Sequence, residues 1–94
     1  MHRQVTCVNK RPHANPHEGI TRLGGPGWGP WTRIQVATLI EARMDTFFVL
    51  VEGRRADLLV VRVQGSRPYL RCQVDEPADD PLLRLPRCGG APGL

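Results

Sequence analysis

Between Thr46 and Val63 the chain reads TFFVLVEGRRADLLVVRV, two apolar runs on either side of Glu52-Gly53-Arg54-Arg55. The pattern predicts a β-hairpin. Gly53 suits the first central position of a two-residue II′ turn, because glycine accepts φ > 0 without a Cβ clash. That turn sets Glu52 opposite Arg55, Val51 opposite Ala56, Val49 opposite Leu58 and Phe47 opposite Val60. One face is then apolar throughout, from Phe47, Val49 and Val51 to Ala56, Leu58 and Val60. The other carries Glu52, Arg55 and Asp57 near the turn and Phe48, Leu50, Leu59, Val61 and Val63 further away. A hairpin apolar on both faces belongs in the middle of a fold, with something packed on each side.

The flanking segments supply those layers. Gln4–Val8 is β-rich, with Val5 and Cys7 on one face, and follows a frayed Met1–Arg3. Asn9–Glu18 is a polar loop in which Pro16, between His13 and His17, argues against a helix, so both histidines are expected in solvent. Ile20–Leu23 is a second short strand, and GGPGWGPW after it reads as a glycine-rich loop. Thr32 and Gln35 form a capping box, which makes Trp31 and Val36 the two ends of a hydrophobic staple. Trp28 has no such role and is the freer of the two tryptophans. The spacing predicts a helix over Arg33–Arg43, with Val36, Ala37, Leu39, Ile40 and Met44 on the stripe that covers the hairpin.

After Val63 the turn Gln64–Arg67 leads into a strand at Tyr69–Val74. Pro68 cannot donate to a ladder, which puts this strand at a sheet edge. The register that buries Leu70, Cys72 and Val74 and exposes Arg71 and Gln73 is preferred to its alternative. Asp75–Pro81 reads as a solvated acidic connector. Two prolines and no glycine there oppose a calcium loop. Leu82–Pro86 should pack down as partial cover for the hairpin's second face, and Gly89–Leu94 reads as a disordered tail. The fold class is therefore α+β: a small antiparallel sheet, a meander of three strands plus one or two N-terminal strands, with one helix on one face. Residues 1–94 form a single domain with an ordered core over 4–88.

Cys7, Cys72 and Cys88 are an odd number with no close pair, so neither a disulfide framework nor zinc half-sites are expected. No cofactor is implied. A nucleophile–base pair drawn from Cys7 or Cys72 with His13 or His17 has no acid or oxyanion element tied to it, which leaves enzyme activity unsupported. No run approaches the ~20 apolar residues of a membrane span. The opening MHRQVTCVNK has no apolar signal region, so a cytoplasmic location is expected. The net charge is +4, with twelve of thirteen cations arginine. That surplus fits a polyanionic partner, and equally the Ala, Gly and Pro content of a GC-rich coding sequence.

Several pieces of the chain, taken in order, resemble the small bacterial and phage proteins grouped as domain of unknown function 3892. They are Cys7, Gly19-Ile20-Thr21, Leu23-Gly24-Gly25, Trp31, Ile40-Glu41, Phe48-Val49, Tyr69-Leu70, Asp75 and Leu82–Cys88. Where members have a Gly-containing turn after the helix, this chain has Arg43-Met44-Asp45. The Arg-Cys pair after Tyr69-Leu70 likewise replaces a small polar residue. The resemblance implies no established activity.

The expected function is a non-enzymatic binding module, contacting a protein partner or a second copy of itself. Its contact residues are Phe48, Leu50, Leu59, Val61, Tyr69, Arg71 and Arg55, with a groove rimmed by Arg55, Arg71 and Glu52. The alternative is nucleic-acid or other polyanion binding through Lys10, Arg11, Arg22, Trp28, Arg54 and Arg67. No membrane contact or small-molecule substrate is indicated.

Overall fold

The computed structural model describes residues 1–74 and 80–89. The expectations for an acidic connector over 75–79 and a tail over 90–94 lie outside them. The architecture is α+β, with one helix packed against two sheets. A four-stranded sheet has the order β1-β5-β6-β7, made of His2–Gln4, Thr46–Val51, Arg54–Val61 and Tyr69–Cys72. A three-stranded antiparallel sheet has the order β2-β3-β4, made of Cys7–Lys10, Ile20–Gly25 and Trp28–Thr32. Helix α1 spans Arg33–Glu41, and a 3₁₀ turn spans Pro81–Arg84.

The central hairpin forms with a register two residues away from the expected one. Val51 pairs with Arg54, Leu50 with Arg55, Val49 with Ala56 and Phe48 with Asp57. The turn is therefore Glu52-Gly53, with φ of 52° and 77°. Both central residues being left-handed is the I′ geometry, whose twist matches that of the strands. A shift of two preserves the face of every side chain, so the division of the hairpin into two faces stands. Phe47, Val49 and Leu58 are buried on the side that α1 covers.

The N-terminal segment is two strands rather than one. His2–Gln4 pairs in parallel with β5, and Cys7–Lys10 pairs antiparallel with β3. Between them the N–H of Val5 bonds to Phe48 O (2.7 Å) and that of Thr6 to Gly24 O (2.9 Å), so consecutive residues join the two sheets. Met1–Arg3 is not frayed: the terminal amine donates to Met44 O at 3.1 Å and Arg3 Nε to Asp45 Oδ2 at 3.0 Å.

The glycine-rich segment is also ordered, as the β3–β4 hairpin. Its tryptophans exchange the roles expected of them. Trp28 is buried, with its indole Nε1 donating to Gln4 O at 2.9 Å and its ring 5.1 Å from that of Phe47. Gly25 makes room: a Cβ there would stand 2.4 Å from Trp28 Nε1. Trp31 is only half-buried, under the Arg3 guanidinium at 4.9 Å and beside Trp28 at 5.2 Å.

The Thr32–Gln35 capping box is present. The helix ends two residues before the expected boundary. Arg43 N–H bonds to Ile40 O and Met44 N–H to Leu39 O, with Arg43 at φ 59°, a Schellman ending that uses arginine where glycine is usual. Met44 therefore lies past the helix and is exposed, while Val36 and Ala37 are buried and Leu39 and Ile40 pack at the core's margin. Strand β7 takes the chosen register, Leu58 opposite Cys72 and Val60 opposite Leu70, with Leu70 and Cys72 buried.

Two further expectations are reversed. Cys7 and Cys88 form a disulfide across 81 residues, with Cα atoms 4.7 Å apart. Both sulfurs pack against Gly24, where a Cβ would meet them at 3.1 and 3.4 Å. Sequence spacing hides this pair because β2 and the C-terminal segment become neighbours only on folding, through a parallel bridge of Val8 with Arg87. His17 is not in solvent. It is 7% exposed, and its Nε2 lies 2.8 Å from Oδ2 of Asp80, which is fully buried.

Candidate protein interface

The second face of the four-stranded sheet is built by the alternation of β5, β6 and β7. Phe48 stands opposite Asp57, Leu50 opposite Arg55, Leu59 opposite Arg71 and Val61 opposite Tyr69. Leu50 is 47% exposed, and Phe48, Leu59, Val61 and Tyr69 are half-buried. Five of the expected contact residues thus form one apolar strip. Arg55 lies over it, its guanidinium 4.3 Å from the Phe48 ring centre and held by Asp57 Oδ1 at 2.6 Å. A stacked guanidinium shields the ring while its charge stays in water. Arg71 does not rim the strip. Its Nη2 donates to Val74 O at 2.9 Å and its Nε to Cys72 O at 3.3 Å, folding the side chain back along its own strand.

The Leu82–Pro86 segment is not the cover expected for this face. Leu82 is fully buried within the core that holds Phe47, Val49 and Leu70, on the same side as the helix. The three-stranded sheet, the helix and the 3₁₀ turn all crowd that side, so that among the described residues no strand or helix packs over the strip, and the His17 ring lies 6.2 Å from that of Tyr69 at its end. The groove also moves. It has a volume of about 970 Å³ and runs between the hairpin tip and the 3₁₀ turn, with Val49, Val51, Val74 and Leu85 on its walls and Glu52 and Arg55 on its rim.

The polyanion candidates fall in separate places. Lys10 and Arg22 lie on adjacent strands of the three-stranded sheet, Arg22 being paired with Asn9, and Arg11 follows the end of β2. Lys10 Nζ donates to Leu83 O. Arg54 stands at the turn end of β6, and Arg67 lies in the connection beyond its other end. Trp28 is removed from the set by burial.

Of the cysteine–histidine pairings considered from sequence, Cys72 and His17 are brought to the same carboxylate, that of Asp80. Cys7 is consumed by the disulfide. Cys72 is buried, and burial, with the Asp80 carboxylate beside it, pushes its thiol far above the ordinary range. A thiol held neutral is the reverse of what nucleophilic chemistry requires.

Sequence reasoning missed the group around which this corner is built. Asp80 Oδ2 accepts from the Cys72 N–H at 2.8 Å and meets His17, while Oδ1 accepts from the Leu82 N–H at 2.8 Å. The carboxylate therefore caps both the outer edge of β7 and the start of the 3₁₀ turn. The signal was present in Asp80-Pro81, an N-cap residue before a proline suited to the first helical position. Comparison with family models, curated proteins and solved structures found no match to this chain.

Proposed function

We propose that this chain is a small cytoplasmic, non-enzymatic binding module that pairs with a second copy of itself through the open face of its four-stranded sheet. The observation that carries the reading is the strip Phe48, Leu50, Leu59, Val61 and Tyr69, which no described strand or helix covers. Fully burying an exposed side chain of this kind gains ~1.5–3 kcal/mol, and the half-buried members gain a fraction of that, so a partner that completes the layer is favoured. The strip carries Arg55, paired with Asp57, at one end, and an apolar face of this kind is self-complementary under a two-fold axis. Association by strand addition is disfavoured at β7, because Asp80 already accepts the Cys72 N–H on that edge. Sedimentation across a concentration series tests the reading. The parent is expected to dimerise, and Leu59→Arg and Val61→Arg to remain folded monomers. A folded parent that stays monomeric at high concentration defeats it.

A second reading, polyanion binding, is favoured by one observation: Lys10 and Arg22 lie on adjacent strands of the three-stranded sheet, with Arg11 next after β2. Binding of a DNA oligonucleotide that weakens steeply with salt, and more so than the dimer, would support it. The resemblance to the domain of unknown function 3892 proteins adds no activity to either reading.

A further inference from the structure

The segment Asp80–Cys88 crosses the molecule as a strap. At its first end Asp80 holds the edge of β7 and His17; at its last, Cys88 is bonded to Cys7. Between these ends Leu83 and Leu85 pack half-buried at the core's margin, and Arg84, Pro86 and Arg87 are exposed. The groove of about 970 Å³ separates Pro81, Arg84 and Leu85 from the hairpin tip. On the other side a second space of about 360 Å³ lies between Leu85, Arg87 and the β2 residues Val8 and Lys10. Asp80 and Leu82 are its fully buried side chains, both at the first end, and Cys88 is buried at the last. Apart from the disulfide, the last end is tied by Val8 N–H to Pro86 O at 3.0 Å and by Cys88 N–H to Val8 O at 3.3 Å and Asn9 Oδ1 at 3.2 Å. From Leu83 to Arg87 no side chain is fully buried, and a stretch with few buried apolar contacts opens at a lower free energy than the body it lies on.

We propose that the Cys7–Cys88 disulfide is a reversible redox lock on this strap, and that reducing it lets the strap open from the sheet and uncover Cys72. A lock of this kind rests on the cytoplasmic reading proposed above, since disulfides in cytosolic proteins are mostly transient and redox-sensing. The co-reactant is a low-molecular-weight thiol, RSH, such as glutathione. Its thiolate attacks Sγ of Cys7, the less buried partner, forming a Cys7–S–S–R mixed disulfide and expelling the Cys88 thiolate, which takes a proton. A second RS⁻ attacks the R sulfur, releasing RSSR and the Cys7 thiolate. Two protein thiols and one RSSR result, and RSSR drives the reverse reaction. Cys72 reports the opening because Asp80 and Leu82, both on the strap, lie against it.

The test is the alkylation rate of Cys72, followed by peptide mass mapping, in oxidised protein, glutathione-reduced protein and the Cys7→Ser/Cys88→Ser variant. Hydrogen exchange of the β5–β6 amides is measured in parallel. Cys72 labelling is expected to rise by roughly tenfold or more on reduction, the change that about 1.4 kcal/mol in opening free energy produces, while the β5–β6 amides stay protected. The double variant is expected to match reduced protein. Equal labelling in the oxidised and reduced states overturns the proposal. So does Cys72 labelling only as fast as the β5–β6 amides exchange, or loss of the fold on reduction, either of which makes the bond a staple of the whole domain. If the variant fails to fold, reduced parent protein alone decides between these outcomes. Failure of glutathione redox buffers to interconvert the two states also overturns it. None of these results bears on the dimer face, which sedimentation reads separately.

Discussion

His17 Nε2 and Asp80 Oδ2 lie 2.8 Å apart, 7% and 0% exposed, and join the N-terminal loop to the edge of β7 across 63 residues. The same carboxylate caps two backbone N–H groups. Replacing Asp80 with alanine leaves three buried donors without their acceptor. The expected cost is roughly 3–5 kcal/mol, read as a lower denaturant midpoint at unchanged slope. Asp80→Asn retains oxygen on one side only and should fall between the two. A midpoint for Asp80→Ala within error of the parent's would refute the assignment.

The aromatic corner makes a second prediction, opposite in order to the one the capping motif implies. Trp28→Ala removes a ring packed on Phe47 and a hydrogen bond to Gln4 O, and should cost ~3–5 kcal/mol. Trp31→Ala should cost clearly less, because its outer side is covered only by the Arg3 guanidinium. Chemical denaturation of the two variants decides the order.

Much of the fold was legible because it rests on period-two alternation. A register error of two residues left every hairpin side chain on its proper face, so the apolar strip could be read without the turn type. The capping box fixed the helix start for a similar reason: it is a local exchange between Thr32 and Gln35. What could not be read was long-range pairing. Cys7 with Cys88 and His17 with Asp80 are brought together only by sheet topology, and His17 in its polar loop and Asp80 look solvated until each is seen to bury the other. The tryptophans illustrate the same limit. The staple is a local motif and favoured Trp31, whereas Trp28 is buried by Phe47 and Gln4, which lie on other strands.

Asp45 makes a pH prediction. Arg3, by hydrogen bond and by charge, and the terminal amine hold its carboxyl below the usual carboxylate range. A depressed folded-state value means the contribution is complete above the ordinary pKa of ~4 and is lost as pH falls through the lower folded value. Stability should therefore decline below about pH 4 with a component that Asp45→Asn removes. Thermal melts of both proteins between neutral and acid pH measure it; superimposable profiles would deny Asp45 that role.

Two non-glycine residues occupy the left-handed region, Arg43 at φ 59° and Glu52 at φ 52°. For L-residues this conformation costs roughly 1–2 kcal/mol, and at both sites the surrounding geometry favours a residue with a lower cost. Arg43 is the C′ residue of a Schellman ending, the position at which glycine is most enriched. Glu52 is the first central residue of a I′ turn, where asparagine before glycine is preferred. Neither side chain has a partner among the hydrogen bonds and ion pairs of the described residues that would offset its removal. Arg43→Gly is expected to stabilise the domain by up to ~1 kcal/mol, the relief of the Cβ clash outweighing the extra freedom of glycine in the unfolded chain. Glu52→Asn should stabilise by a similar or smaller amount without that entropic penalty. The control is Arg43→Ala, which deletes the same side chain but keeps the Cβ. If the gain at Arg43 comes from backbone conformation, alanine will not reproduce it; a gain of equal size from alanine would assign the effect to the lost charge instead.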